Sequence, residues 1–357
     1  MRLMRWGIIG TGFAARKFVQ GMRATNSSVA VAVCSRSLLN AQSFAKEFGI
    51  VVAMNDCIQV VNLDDIDVVY IASPPSFHQE HALMAINAGK HVVIEKPFAM
   101  NASEAKVIVR AAKERNLFCM EAMWTRFLPA VKQAKLIIES GQIGNICKMS
   151  GIFSIADIPS QNNNLFNVSL GGGALLHRGV YPLSLAVYFM GLPDRISSEM
   201  IIGDSGVDVE TSIILRYINK NLLADIHAST RTTGANDFWL LGSKGSIHIQ
   251  APIYRPCRLT LKVENPRKAI GFRKSYFSQL KESGIIQGLY QRFGAFIFPL
   301  LSRKVKTIFF PYSGNGYHYQ VDAVCRAIIN GELECEEMPV SETIGLMEII
   351  DDIKKNS

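Results

Sequence analysis

The sequence predicts an α/β region followed by an α+β region: a doubly wound parallel sheet at the front, then a large, mostly antiparallel open sheet. The first observation is an alternation of apolar strands and amphipathic helices, at βαβ spacing, over the first hundred or so residues. The second is a change of rhythm after about residue 121, where strand-like segments arrive without helices between them. Length is the third: 357 residues exceed one typical domain and suit two, divided here into 1–121 and 122–357.

The elements follow in order. Residues 4–9 read as a short buried strand, and a Gly-rich turn leads into a helical stretch near 13–25. Val29 to Ser35 is a second strand, followed by a helix over roughly 38–48. Asp67 to Ala72 and His91 to Glu95 are further apolar strands, with a helical pattern at 78–89 between them. Near-continuous apolar strands mean that both faces of this sheet are covered. Later strand segments are 147–155, 195–203, 209–217, 222–231, 237–249 and 258–264. Residues 222–230 partly alternate polar and apolar, as a sheet with one wetter face requires. A helix at 174–190 stands behind Gly171-Gly172-Gly173, and two more close the chain near 317–330 and 341–355.

Composition excludes several classes. Hydrophobic residues make up 48% and charged residues 19%, without repeats or low-complexity tracts, which is the balance of a globular protein. Arg2 and Arg5 precede Gly7-Ile8-Ile9, but Gly10-Thr11-Gly12 breaks the apolar run at once, so no leader is read and a cytoplasmic location is expected. The seven cysteines are scattered without a C-x-x-C pair, so neither structural zinc nor a disulfide framework is expected, and free thiols are. No metal site is predicted. The net charge of +8 is local: residues 255–306 alone carry +10, leaving the remainder at −2. No nucleic-acid reading motif accompanies it.

Gly10-Thr11-Gly12-Phe13-Ala14-Ala15 is a G-x-G-x-x-A pattern placed after a strand and before a helix, the context of a dinucleotide-binding Rossmann turn. Gly10 permits the turn, Gly12 lets the backbone approach a pyrophosphate, and the helix N-terminus faces the anion. The second strand ends in Cys34-Ser35-Arg36-Ser37, with no carboxylate for a ribose diol. Ser35 and Arg36 suit a 2′-phosphate, so NADP is expected over NAD.

Two blocks carry a resemblance. Ala72-Ser73-Pro74-Pro75-Ser76-Phe77-His78, with Ala88-Gly89-Lys90-His91-Val92-Val93-Ile94-Glu95-Lys96-Pro97, resembles the glucose–fructose oxidoreductase / inositol dehydrogenase (Gfo/Idh/MocA) family. Glu121-Ala122-Met123-Trp124-Thr125-Arg126-Phe127-Leu128-Pro129 and the stretch from Phe310 to Tyr319 look like its dimeric dihydrodiol dehydrogenase branch. The resemblance implies hydride transfer with NADP on a hydroxyl or carbonyl of a sugar, a nucleotide-linked sugar or a cyclic diol. It places Lys96 between nicotinamide and substrate, puts a cis bond before Pro97, and assigns Ser73, Pro74, His78, Glu95, Trp124 and Arg126 to the cofactor side. It also implies a homodimer.

Ala174-Leu175-Leu176-His177-Arg178-Gly179-Val180-Tyr181 completes the pattern, with His177 where the family has Asp. By the resemblance Tyr181 is the proton donor and acceptor, and helical i, i+4 spacing sets His177 on the same face. A phenol of ordinary pKa near 10 needs a cation such as Lys96 beside it to work at neutral pH. Phe153, Arg178 and Trp124 are expected around the substrate, which the basic segment suggests is acidic. The His177 replacement leaves a second reading open, a catalytically silent NADP-binding regulator or scaffold. Residues 266–306 read as an inserted basic and apolar segment, whose run 285–301 could pack on its own sheet, face a dimer partner or lie on an anionic membrane.

Overall fold

The computed structural model describes residues 3–160, 163–264, 288, 292 and 305–356. The readings of 266–306 as an insertion and of 285–301 as a surface contact fall almost wholly outside these residues.

The front of the chain forms a six-stranded sheet in the order β3-β2-β1-β4-β5-β6, parallel throughout. Its strands are β1 (Met4–Ile9), β2 (Ser28–Cys34), β3 (Val52–Met54), β4 (Val68–Ile71), β5 (His91–Glu95) and β6 (Cys119–Ala122). Helices α1 (Phe13–Met22), α2 (Leu38–Phe48), α3 (Cys57–Val61), α4 (His78–Asn87) and α5 (Ala102–Glu114) make the crossovers. Strand order reverses between β1 and β4, which opens a crevice beyond the strands' carboxyl ends. Beneath it Phe18 stacks on Tyr70 with ring centroids 3.6 Å apart, and Trp6 meets Phe18 edge-on. The β3–α3 and α5–β6 units are additions to the elements read from the sequence, and β3 is only 3 residues long.

After the helix α6 (Pro129–Glu139), eight strands form the second sheet, in the order β14-β13-β12-β11-β7-β10-β9-β8. They are β7 (Ile146–Ser154), β8 (Arg195–Ile202), β9 (Asp208–Tyr217), β10 (Leu222–Ser229), β11 (Phe238–Gly242), β12 (Gly245–Ile249), β13 (Arg258–Val263) and β14 (Val305–Phe309). Among the described strands of this sheet, only β7 and β10 pair in parallel. The expected strand 237–249 is in fact a hairpin: Ser243 and Lys244 turn the chain between β11 and β12. The helix read at 174–190 opens with a π-helical turn, Leu175–Gly179, before α7 (Val180–Met190). Alternation along β9 and β10 buries Ile213, Leu215, Ala224 and Ile226 on the covered face. The opposite face exposes Ile214, Leu223 and Trp239.

The closing helices tie the two sheets together. His318–Ile329 returns to the parallel sheet, where Asp322 accepts hydrogen bonds from the Thr25 and Ser27 hydroxyls. Val340–Asn356 packs on α5 and α7, and its Asp351 accepts the Ala102 N–H at 2.9 Å.

The cysteine reading needs correction. Cys34 and Cys57 form a disulfide, while the other five cysteines are free. Sequence spacing hides this pairing, since α2 and β3 intervene before the chain returns α3 to the end of β2.

Candidate active site

A cleft of about 920 Å³ runs along the carboxyl ends of the parallel strands. At one end is the Gly10–Gly12 turn. Gly10 has φ +105°, and a Cβ there would stand 2.5 Å from the Ala72 carbonyl oxygen, so only glycine fits. At Gly12 a Cβ would meet nothing within 4 Å: it would project into open space that a bound phosphate could fill. Phe13 and Ala14, at the first turn of α1, continue this wall, with the helix N-terminus turned to the cleft.

The end of β2 forms the next wall. The Thr11 hydroxyl donates to Ser35 Oγ at 3.2 Å, and Ser37 caps α2 by accepting the Asn40 N–H at 3.4 Å. Arg36 is exposed on the cleft and has no carboxylate partner among the described residues. An open glycine turn, two serines and an unpaired guanidinium fit a dinucleotide with a 2′-phosphate. Asn40, Asn55 and Cys57 line the same end, and no sequence motif singles them out.

At the far end stand Ser73, Pro74, Glu95, Lys96 and His177, joined by Phe77, His81 and Asn164. The Lys96–Pro97 bond is cis, as the resemblance implied. His78 is fully buried below this surface, its Nε2 2.8 Å from the Ser73 carbonyl and its Nδ1 3.0 Å from the Pro97 carbonyl. Burial pulls its pKa down to about 4, so the neutral ring braces the β4 loop against the cis bond and does not line the cleft.

Lys96 is half-buried, and its ammonium donates to the His177 carbonyl at 3.1 Å. It also lies 4.9 Å from the centroid of the Tyr181 ring. Burial lowers its pKa, reinforced by Arg178 and opposed by Glu95 and Glu121. Those carboxyls end neighbouring strands. Glu95 accepts a hydrogen bond from the Tyr70 hydroxyl and the Lys96 N–H. Glu121 Oε2 has no partner among the described residues, and burial pushes this carboxyl up to about 7 against the pull of Arg126.

His177 stands in the π-helical turn, its Nε2 3.1 Å from the Gly171 carbonyl. Burial and then the Lys96 charge bring its pKa down to about 3, so the ring is neutral and Nε2 carries the proton that Gly171 accepts. The turn is anchored by Asp208, which accepts the Leu175 N–H at 2.7 Å and the Thr211 hydroxyl at 2.9 Å. Tyr181 lies one layer deeper, 5.4 Å from Phe153 and 6.3 Å from Tyr254 by ring centroids. Burial and the Glu95 charge raise its phenol pKa, while the Trp124 side chain pulls the other way.

The remaining sequence candidates do not line the cleft. Trp124 stacks on Tyr317 with centroids 4.3 Å apart. Arg126 is wholly buried, donating to Ser184 Oγ at 2.7 Å, to the Ser184 carbonyl at 2.8 Å and to Glu342. Its guanidinium joins the first sheet's edge to α7 and the last helix. The Arg178 guanidinium donates to Asp157 and to the carbonyls of Ile155 and Ser229, holding down the chain that leads toward Asn164.

Residues 4–123 match the family model described as oxidoreductase family, NAD-binding Rossmann fold, and residues 131–248 match the GFO/IDH/MocA C-terminal domain. A trans-1,2-dihydrobenzene-1,2-diol dehydrogenase of Bos taurus is 28% identical over 99% of this chain and 96% of its own. A scyllo-inositol 2-dehydrogenase (NADP(+)) of Bacillus subtilis is 32% identical over 74% of this chain and 81% of its own. A 3-ketoreductase from Actinomadura kijaniata, solved with NADP and TDP-benzene, shares the fold: the TM-score is 0.78 at 22% identity, covering 99% and 98% of the two chains.

Proposed function

The chain belongs to the GFO/IDH/MocA oxidoreductase family, and from that premise we propose that it is an NADP-dependent enzyme acting on a hydroxyl or carbonyl of a sugar, nucleotide-linked sugar or cyclic diol. One observation carries the reading: a single cleft joins the Gly10–Gly12 turn and Arg36 at one end to Lys96 and His177 at the other. Bound NADP supplies or accepts the hydride. In this reading residues 1–121 hold the cofactor, and 122–357 hold the substrate and a second copy of the chain.

The chain's own groups have separable tasks. Lys96 brings the cation in the cleft nearest the π-helical turn, where it polarises a carbonyl oxygen. Tyr181 keeps its proton at neutral pH, as its raised pKa requires, and gives it to that oxygen in the reducing direction. His177 stays neutral, and with Nε2 donating to Gly171 its Nδ1 is left to accept from a substrate hydroxyl. A neutral imidazole in place of a carboxylate removes a negative charge from the pocket, which suits an acidic substrate. Turnover of NADPH with a panel of ketoses, uronates and nucleotide-linked keto-sugars tests the reading. Tight NADPH binding without turnover of any of them would instead support a silent binding protein.

Two surfaces complete the proposal. The open face with Ile214, Leu223 and Trp239 supports a homodimer through the second sheet, tested by sedimentation equilibrium of W239E. No helix of the described residues is long and apolar enough to cross a membrane. The basic flanks of 285–301 support peripheral contact with the anionic inner face of the membrane from the cytoplasm, tested by vesicle sedimentation of the protein with and without 270–305.

A further inference from the structure

The Cys34–Cys57 disulfide stands in the wall of the cofactor cleft, and hydride transfer makes no use of it. Cys34 ends β2, directly before Ser35 and Arg36. Cys57 opens α3 after Asn55 and Asp56, whose carboxylate accepts the Ile58 N–H at 2.9 Å. The bond therefore links the two turns on either side of the cleft's Arg36 end. Backbone contacts widen that unit. The Gly10 N–H donates to the Cys34 carbonyl at 2.8 Å, and the Ser35 N–H donates to the Met54 carbonyl at 3.2 Å. One cystine thus shares a bonded frame with the phosphate turn, the Arg36 turn and the end of β3.

Exposure separates the two sulfurs' roles. Both cysteines line the cleft, but Cys34 is wholly buried whereas Cys57 is half-buried, so a thiolate entering the cleft reaches Cys57 first. We propose that Cys34–Cys57 is a thiol–disulfide exchange site through which low-molecular-weight thiols set the affinity for NADP. The proposal rests on the NADP reading of the cleft. A small thiolate attacks Cys57 Sγ and forms a mixed disulfide, while Cys34 leaves with the bonding electron pair and takes a proton. A second small thiolate attacks the small-molecule sulfur of that mixed disulfide and releases Cys57 as the second thiol. Two small thiols are oxidised to one disulfide, and the protein gains two electrons and two protons.

Reduction loosens the cleft for a steric reason. Two thiols cannot remain at bonding distance, and Cys34 is enclosed by the core, so the Asn55–Cys57 turn must give way. The oxidised form holds its turns pre-set and binds NADP more tightly. Reciprocally, bound NADP favours the disulfide by the same factor.

The experiment is fluorescence titration of NADPH into the full-length protein, oxidised and then reduced with dithiothreitol. We expect Kd to weaken at least about fivefold on reduction, the lower range of coupling between linked sites. C57S should give one Kd with or without reductant. Should C57S not fold, the wild-type protein suffices: saturating NADP should lower the midpoint of the Cys34–Cys57 couple by about 20 mV, the fivefold factor at 29.6 mV per decade. Equal NADPH affinity in both redox states, or an unmoved midpoint, overturns the exchange site and leaves the NADP reading intact. No NADPH binding in either state overturns both.

Discussion

Replacing Arg36 with alanine tests how the cleft chooses its cofactor. Arg36 is exposed, lines the cleft beside Ser35 and Ser37, and has no carboxylate partner among the described residues, so the substitution breaks no ion pair there. Its charge is free to meet a 2′-phosphate. Hydrogen bonds to charged groups contribute about 1.5–3 kcal/mol, and exposure puts Arg36 at the lower end. A loss of about 1.5 kcal/mol is roughly tenfold in Kd. Fluorescence titration should therefore show NADPH binding about tenfold more weakly to R36A, with NADH binding unchanged. The gap should shrink as salt rises, since screening acts on the charge and not on the serine hydroxyls. If NADPH and NADH weaken by equal factors, Arg36 supports the adenosine pocket generally and the 2′-phosphate assignment fails.

Other consequences can be measured independently. Y181F should lower kcat by a factor on the order of 10² while leaving NADPH affinity unchanged, because it removes a proton and little volume; unchanged turnover would move proton transfer to Lys96. Glu121 has a folded pKa raised to about 7, so the stability it contributes is complete below its unfolded pKa and is lost as pH rises through about 7. Urea melts should show E121Q gaining on the wild type between pH 5 and pH 8, and a constant difference would mean that Glu121 does not titrate in that window. G173A should cost on the order of 2 kcal/mol, since Gly173 has φ +120° and a methyl group would overlap the Asp208 carboxylate that anchors the π-helical turn. A loss under about 0.5 kcal/mol in the same melts would show that the turn relaxes freely.

Local chemistry determined much of this protein from its sequence. A glycine turn between strand and helix, an apolar strand ending in Glu95-Lys96-Pro97, and the switch from alternating elements to serial strands each sit within a few consecutive residues. Backbone propensity and periodicity read such stretches directly. That is why both sheets and the Gly10–Gly12 turn were legible, whereas the place of Lys96 was implied by the resemblance its neighbouring residues carry.

Contacts between distant positions were decided only by the tertiary structure. Arg126 sits in a motif whose resemblance points to the cofactor, yet its guanidinium reaches Ser184 and Glu342, 58 and 216 residues away. Arg178 follows a candidate active-site histidine, yet it holds Asp157 and the Ser229 carbonyl. Tyr254 joins the aromatic layer behind Lys96 without a motif to announce it, and Tyr317, though it lies in a stretch that carries the resemblance, shows its stacking on Trp124 only in the fold. Cys34 and Cys57 pair because a parallel crossover returns α3 to the end of β2. A buried charge or sulfur takes whatever partner packing brings within reach, and burial makes that choice energetically binding. Sequence spacing carries the first kind of information, whereas the second exists only once both sheets and the closing helices have met.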